Sequence, residues 1–401
     1  MKLFRTILFW CHLTVAVCVA AIVVIMSATG VLLTYQKQMT AWADRRGVVA
    51  GPPTPGAARL PVEVLLRRAS TAAGATPTAI TLRSRVDAPA EVSFGRERRQ
   101  LVNAYTGATL GEGSTRMRSF FRVVTAWHRT LGATGENRAL GKGISDAANL
   151  GFLFLVLSGM HLWLPRNWSA AAVRSIVLFR RQLSSKARDF NWHHVIGIWS
   201  AVPLAIVVAS GVVISYRWAG NLVYRSVGES PPAPAAAPPV ASGQRGEGGR
   251  TERADAAPSF DGLNANFARA EQRMPGWTSI TTQLPTGKAK TLSFTLDRGT
   301  GGQPQLRSTL VLDRATANEV KWETFESQSL GRRMRTIFRF AHTGEILGIV
   351  GQTIAGLVSL GSLVLAWTGL ALSWRRLRAW QKRRALAARP AETADGIEVA
   401  A

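Results

Sequence analysis

The chain holds six histidines, and almost every one stands at the end of an apolar stretch. His12 opens the first stretch; His128 precedes the second, and His161 lies near its far end. His193 and His194 open the third, and His342 precedes the fourth. Imidazole is a common ligand of transition metals and the usual axial ligand of haem iron. Ionisable side chains at membrane depth are costly, so they are rare and usually functional. Histidines kept at two levels of a bilayer predict metal centres near both of its faces. Other donors are scarce: the apolar stretches hold no Asp or Glu, and the two cysteines, Cys11 and Cys18, both fall on the first helix. Seven residues apart, they share one helix face and read as small packing residues, not a disulfide. A zinc or nickel cage wants more ligands than two imidazoles. A bis-imidazole haem needs only two and suits electron transfer. No Cys-x-x-Cys-His occurs, so the expected group is haem b held without a covalent bond.

The elements that must position these residues are four stretches, 13–33, 147–165, 195–216 and 346–374, all free of Asp, Glu, Lys and Arg. A helix needs roughly 20 apolar residues to cross the hydrocarbon. The formal net charge of +25 raises the question of nucleic acid, but its distribution answers it otherwise. Lys2 and Arg5 precede the first stretch. Arg166, Arg174, Arg180, Arg181, Lys186 and Arg188 lie between the second and third, and Arg375, Arg376, Arg378, Lys382, Arg383 and Arg384 follow the fourth. These segments share one side of the membrane, and the positive-inside rule makes that side cytoplasmic. Both termini are therefore expected in the cytoplasm, with lipid headgroups rather than nucleic acid as the partner of the basic runs. The long segments at about 36–146 and 217–345 then face outward. The first stretch lacks a clean cleavage site and reads as an uncleaved anchor.

The chain also repeats itself. His12 is followed by Thr29-Gly30-Val31-Leu32-Leu33-Thr34-Tyr35, and His193 at the same distance by Ser210-Gly211-Val212-Val213-Ile214-Ser215-Tyr216. Ser158-Gly159 before Trp163 parallels Thr368-Gly369 before Trp374. The glycines at 30, 159, 211 and 369 are expected to let helices approach closely. In the outward segments, 61–73 and 260–273 have helical spacing, and 79–82, 90–94, 100–105, 279–282, 291–296 and 308–312 alternate as strands. Each segment reads as a small α+β domain, marginal in size for folding alone. A Pro/Ala/Gly-rich linker occupies 230–253. Basic amphipathic stretches, with Arg116, Arg118 and Arg122 in one and Arg333, Arg335 and Arg339 in the other, lead back to the membrane. They are candidates for pairing with haem propionates, an anionic substrate or lipid phosphate.

Asn191-Trp192-His193-His194-Val195-Ile196-Gly197-Ile198-Trp199 followed by Ser210-Gly211 resembles the motif of the PepSY-associated transmembrane proteins. So do Trp127-His128-Arg129-Thr130-Leu131-Gly132, Ser158-Gly159 through Trp163-Leu164-Pro165-Arg166, and His342-Thr343-Gly344 through Thr368-Gly369. The outward segments resemble PepSY domains. The resemblance departs at His194, where the family usually has Arg, and at His161, where it usually has an aromatic. It implies a bacterial inner-membrane protein associated with iron uptake, and similarity to di-haem reductases that release iron from ferric siderophores in the periplasm.

On this reading the duplication pairs His128 with His342 near the periplasmic face and His12 with His193 near the cytoplasmic face, one haem to each pair. His161 is an alternative cytoplasmic-side ligand. His194 points about 100° away from His193 on the same helix and is expected to hydrogen-bond a propionate, a carbonyl or lipid. No nucleophile elbow, P-loop, dinucleotide fingerprint or His-Glu-x-x-His is present, so electrons would come from a quinol or a separate cytoplasmic reductase. The expected architecture is a membrane four-helix bundle bearing two PepSY-like periplasmic domains. Its order is helix 7–35, domain 36–115, amphipathic segment 116–143, helix 144–165, basic loop 166–191, helix 192–217, linker segment 218–258, domain 259–328, amphipathic segment 329–345, helix 346–374 and basic tail 375–401. The expected function is reduction of ferric siderophores; the alternative is a non-catalytic module that binds a protein partner or assists metal uptake.

Overall fold

A computed structural model describes residues 2–95, 98–165, 169–233, 260–284 and 289–387. Arg166 of the basic loop, most of the Pro/Ala/Gly-rich linker and the tail from 388 onward lie outside the described residues. In chain order the elements begin with α1 (Lys2–Leu33), α2 (Gln36–Arg45), α3 (Val62–Ala73), β1 (Ala79–Arg83), β2 (Ala90–Phe94), β3 (Arg98–Val102) and β4 (Thr109–Gly111). Then come α4 (Thr115–Thr130), α5 (Arg138–Trp163), α6 (Ala170–Val177), α7 (Ser185–Ser215) and α8 (Arg217–Arg225). The chain continues with α9 (Leu263–Arg273), β5 (Ser279–Gln283), β6 (Thr291–Asp297), β7 (Arg307–Asp313), β8 (Glu319–Thr324), α10 (Leu330–His342) and α11 (Gly348–Ala387). It divides into two compact units: Met1–Val31, Ala126–Ala209 and Ala355–Ala401 form one, Leu32–Thr125 and Ser210–Ile354 the other.

The first unit takes the larger part of the four helices that are long and apolar enough to cross a membrane, at Leu3–Leu33, Gly135–Trp163, Ser185–Ser215 and Glu345–Ala385. Their outer surfaces are apolar and uncovered: Trp199 is 70% exposed, Trp367 69% and Val202 64%. Patches of this kind suit a lipid solvent and would be an aggregation hazard in water. Inward, Val156, Leu204, Val208 and Val358 pack together with Phe152 and Leu365 at the edge. Polar groups bridge the helices where lipid cannot satisfy them. The Ser362 and Ser27 hydroxyls hydrogen-bond at 2.7 Å, and the Asn149 amide donates to the Val208 carbonyl at 3.3 Å. Helices approach closely at Gly151 and Gly361, where an added Cβ would meet Val19 at 3.1 Å and Ile196 at 3.2 Å.

The helices run further than the apolar stretches suggest. α7 begins at Ser185 and takes in Lys186, Arg188 and Asp189, and α11 continues through the basic run to Ala387. Charge ends the membrane-compatible part of a helix but not the helix itself. Lys and Arg are good helix formers, and no Gly or Pro interrupts 374–387. One basic residue of each run is held by protein: the buried Asp189 carboxylate accepts from Arg188 at 3.0 Å and from Arg375 at 2.6 Å. Cys11 and Cys18 are free thiols on exposed positions of α1. The face they share is turned outward.

The second unit is organised by one antiparallel sheet of eight strands in the order β4-β3-β2-β1-β5-β6-β7-β8. The segments read as two small domains join along β1 and β5, with Ala79 opposite Gln283 and Arg83 opposite Ser279. They share one core, in which Leu65 and Leu66 of α3, Ile80, Val92, Phe267 of α9, Ile280, Phe294 and Leu310 are all buried. Two segments each too small to bury much surface gain a common interior this way, and each hides a strand edge that would otherwise invite aggregation. The outer edge at β8 carries Glu319, Lys321 and Glu323, charges that discourage further pairing.

Helix α2 was not anticipated from sequence. Its Asp44 is buried and accepts from the Ser114 amide at 2.7 Å, from Arg118 at 2.8 Å and from Arg99. The chain then turns sharply before the second and fourth long helices. Between α4 and α5, Leu131 (φ 53°) and Gly132 (φ 76°) are left-handed. Between α10 and α11, Gly344 (φ 72°) is left-handed and so close to Gly351 that a side chain there would strike the Gly351 carbonyl. These corners set His128 and His342 just before the spans they precede.

The shared core yields a first prediction. Phe294 is fully buried and meets Phe267 edge to face at 5.1 Å. Phe294→Ala is expected to cost about 3–5 kcal/mol. Because the core is common, limited proteolysis should then cut within residues 36–115 as well as within 259–328. A variant loosened only in the second segment would contradict a single cooperative sheet.

Candidate functional site

Four of the six histidines share one arrangement. His12 on α1 lies with Nδ1 2.8 Å from the Ser158 hydroxyl on α5. His193 on α7 lies with Nδ1 3.0 Å from the Thr368 hydroxyl on α11. His128 on α4 places Nδ1 3.0 Å from the Thr29 hydroxyl on α1, and His342 at the end of α10 places Nδ1 3.4 Å from the Ser210 hydroxyl on α7. Every partner is a Ser or Thr on a different helix, and every one is followed by glycine: Gly30, Gly159, Gly211 and Gly369.

The glycines explain how a ring fits there. A Cβ on Gly159 would meet His12 Cε1 at 3.5 Å, one on Gly369 would meet His193 Cε1 at 3.5 Å, and one on Gly30 would meet His128 Cε1 at 3.7 Å. These are contact distances, so each imidazole lies against the backbone of the neighbouring helix. At three of these glycines a histidine ring from another helix fills the space, and at Gly30 the Ser359 side chain of α11 also comes within 3.6 Å.

The spacing defines two levels. Seventeen residues separate His12 from Thr29 and His193 from Ser210. At 1.5 Å per residue that is roughly 26 Å, close to the thickness of a bilayer's hydrocarbon core. At one level His12 lies within electrostatic reach of His193. His128 belongs to the first compact unit and His342 to the second.

The remaining two histidines are placed differently. His194 Nδ1 is 2.9 Å from the carbonyl of Phe190, one turn back on its own helix, and its ring stacks on Phe190 at 4.1 Å. That is the carbonyl option among its expected partners. His161 stands edge to face with Phe4 at 5.6 Å. Among the described residues no group of three or more His, Cys, Asp and Glu is arranged to hold a metal ion.

The arginines flanking the second level fall into two groups. Arg118 is committed to Asp44 and to the Glu112 carbonyl, so it is a structural link and not an anion-binding residue. Arg333 packs over Phe325 at 5.2 Å, and its buried Nε makes no hydrogen bond. Arg116, Arg122, Arg335 and Arg339 are exposed. Helix α10, which carries three of these and His342, is capped by Ser329, whose hydroxyl also donates to Glu229 at 2.7 Å. That bond holds the Glu229 carboxyl below the usual carboxylate range.

The sequence profile of the family described as "PepSY-associated TM region" matches residues 9–376. No curated protein matches the chain.

The ring-on-glycine contact yields a second prediction. Gly159→Ala places a methyl at ordinary contact with His12 and should leave thermal stability in detergent near that of the wild type. Gly159→Leu must displace the ring from Ser158, and overpacking of this kind costs about 1–3 kcal/mol. Equal melting temperatures for the two variants would show that His12 does not rest on Gly159.

Proposed function

We propose, from the premise that this chain belongs to the PepSY-associated TM family, that it is a di-haem electron-transfer protein of the bacterial inner membrane that reduces ferric siderophores in the periplasm. The observation that carries this reading is the fourfold histidine arrangement on duplicated halves: four imidazoles at two levels, each held through Nδ1 by a hydroxyl of a neighbouring helix. An imidazole bonded at Nδ1 can ligate through Nε2, and an outer hydrogen bond of this kind is the usual support of a metal-binding histidine. Two imidazoles per centre suit haem b, whose macrocycle supplies the other four donors. A bis-imidazole haem exchanges single electrons and leaves no open position for oxygen.

The ligand pairs are His12 with His193 and His128 with His342. The electrostatic proximity of His12 and His193 supports the first. The matched places of His128 and His342, each just before a long helix and each on a Ser/Thr-Gly step, support the second. His161 and His194 stay outside the ligand set, because neither engages a hydroxyl across helices in the way the other four do. The basic runs around α6 and within the last turns of α11 support a cytoplasmic location for both termini and for the His12 level, the paired segments of the sheet then being the two PepSY-like parts outside. Electrons enter at the cytoplasmic level from a quinol or a separate reductase. Exposed Arg335 and Arg339 favour an anionic chelate at the other. One electron converts Fe(III) to Fe(II), for which hard oxygen chelators have less affinity, and iron is released.

The test is spectroscopic. The purified protein should show a haem Soret band. His128→Ala and His342→Ala should each remove the same haem, His12→Ala and His193→Ala the other, and His161→Ala and His194→Ala neither. Full haem content in His128→Ala or His342→Ala would sink the pairing. A wild-type protein without haem would instead favour a partner-binding membrane module.

The substrate claim is tested separately. Dithionite-reduced protein should reoxidise on addition of a ferric siderophore, with iron captured by a ferrous chelator. The rate should fall as salt rises, because exposed charges are screened beyond about 8 Å at physiological ionic strength. A haem left reduced by every ferric chelate tried would remove the reductase reading.

A further inference from the structure

Three of the hydroxyls that hold the histidines also touch a second group, and that group fixes where the protons are. Ser158 Oγ is 2.6 Å from the Phe154 carbonyl, Thr368 Oγ1 is 2.7 Å from the Val364 carbonyl, and Thr29 Oγ1 is 2.7 Å from the Ile25 carbonyl. A hydroxyl has one proton and two lone pairs, and a carbonyl only accepts. The single hydroxyl proton is therefore given to the residue's own helix, four positions back. Only a lone pair faces the imidazole, so the proton between oxygen and Nδ1 must sit on nitrogen. His128 gives independent support: its Nδ1 is also 3.0 Å from the Met26 carbonyl, a group that cannot donate.

From this geometry we infer that Thr29, Ser158 and Thr368 lock His128, His12 and His193 as Nδ1–H imidazoles whose lone pair is on Nε2, and that Ser210 is their counterpart for His342. The four are positioning residues. A neutral imidazole carries one proton, so fixing it on Nδ1 leaves Nε2 as the metal-binding nitrogen. The acceptor behind Nδ1–H also makes the ligand a stronger donor, which favours the higher oxidation state of a bound metal. Because each hydroxyl stands on a different helix from its histidine, the ring is held only when the two helices are packed. The helices thus preorganise the ligands before any metal arrives. His194 lacks this property, since its Nδ1 bonds to its own helix.

The identity of the metal group rests on the haem reading; the proton placement does not. The first arm therefore uses the full-length chain produced without haem and labelled with ¹⁵N-histidine, the resonances being assigned by single His→Gln variants. His12, His128 and His193 are expected as Nδ1–H tautomers, and Thr368→Val should perturb His193 alone among them. An Nε2–H tautomer at these positions would overturn the inference whatever the cofactor. The second arm uses haem-loaded protein. Thr368→Val keeps the shape and removes the hydroxyl, so haem affinity at the His12–His193 level should fall about 10–100-fold, with a positive shift in that centre's midpoint potential. Thr368→Ser should restore both. Wild-type affinity and potential in Thr368→Val would refute the positioning role. Absence of haem from the wild type would fall on the haem reading instead, and the first arm would still decide the tautomers.

Discussion

A donor buried in hydrocarbon must find an acceptor inside the protein, and every imidazole placed in these helices brings such a donor. Leaving one unmet costs about 1–3 kcal/mol, and more in lipid than in a wet interior. The structure meets the demand in one way four times, with a Ser or Thr hydroxyl on a neighbouring helix, and at three of these steps the ring lies against the glycine that follows. Such a pairing fixes how the two helices are rotated and how far one is slid past the other. The pairs His12–Ser158 and His193–Thr368 align α1 with α5 and α7 with α11. The Ser27–Ser362 bond ties α1 to α11, and the Asn149 amide ties α5 to α7. With so few polar contacts available, these few determine helix register.

Charge is distributed by a related logic. The chain has a large positive excess, and the carboxylates it does possess are used sparingly. Asp189 joins the basic start of α7 to Arg375, and Asp44 joins α2 to Arg99 and Arg118. Both carboxylates are buried, so removing either partner would strand a charge, which costs far more than losing an exposed pair. The arginines left exposed, Arg335 and Arg339 on α10 among them, keep their charge for whatever approaches from solvent or lipid headgroups.

The sheet solves a problem of size. Residues 36–115 supply α3 and four strands, and residues 259–328 supply α9 and four more; neither set has enough apolar surface for a secure core. Joining β1 to β5 makes one sheet with both helices over one buried layer, from Leu65 and Leu66 through to Phe294 and Leu310. The edges that remain, β4 and β8, are short or charged.

The sequence alone determined the apolar spans, the strands and the histidine positions, because these depend on local periodicity and composition. The strands at Ala90–Phe94 and Ser279–Gln283 and the helix at Val62–Ala73 follow from alternation and helical spacing with little error. It could not show where helices stop beyond the membrane, since the run from Arg375 to Arg384 is as good a helix former as the span before it. It missed α2, whose apolar content is low and whose anchor is Asp44 bonding to residues distant in the chain. The Ser/Thr-Gly steps were visible as a repeat, at equal distances after His12 and His193, but their hydroxyls were not legible as histidine partners. A hydrogen bond between helices depends on rotation and register, and no single strand of sequence encodes those. Tertiary structure decided the rest: which four of six histidines face a hydroxyl, on which nitrogen, and that two small segments close one sheet. Each is a relation between residues more than 90 positions apart, fixed only when separate elements pack.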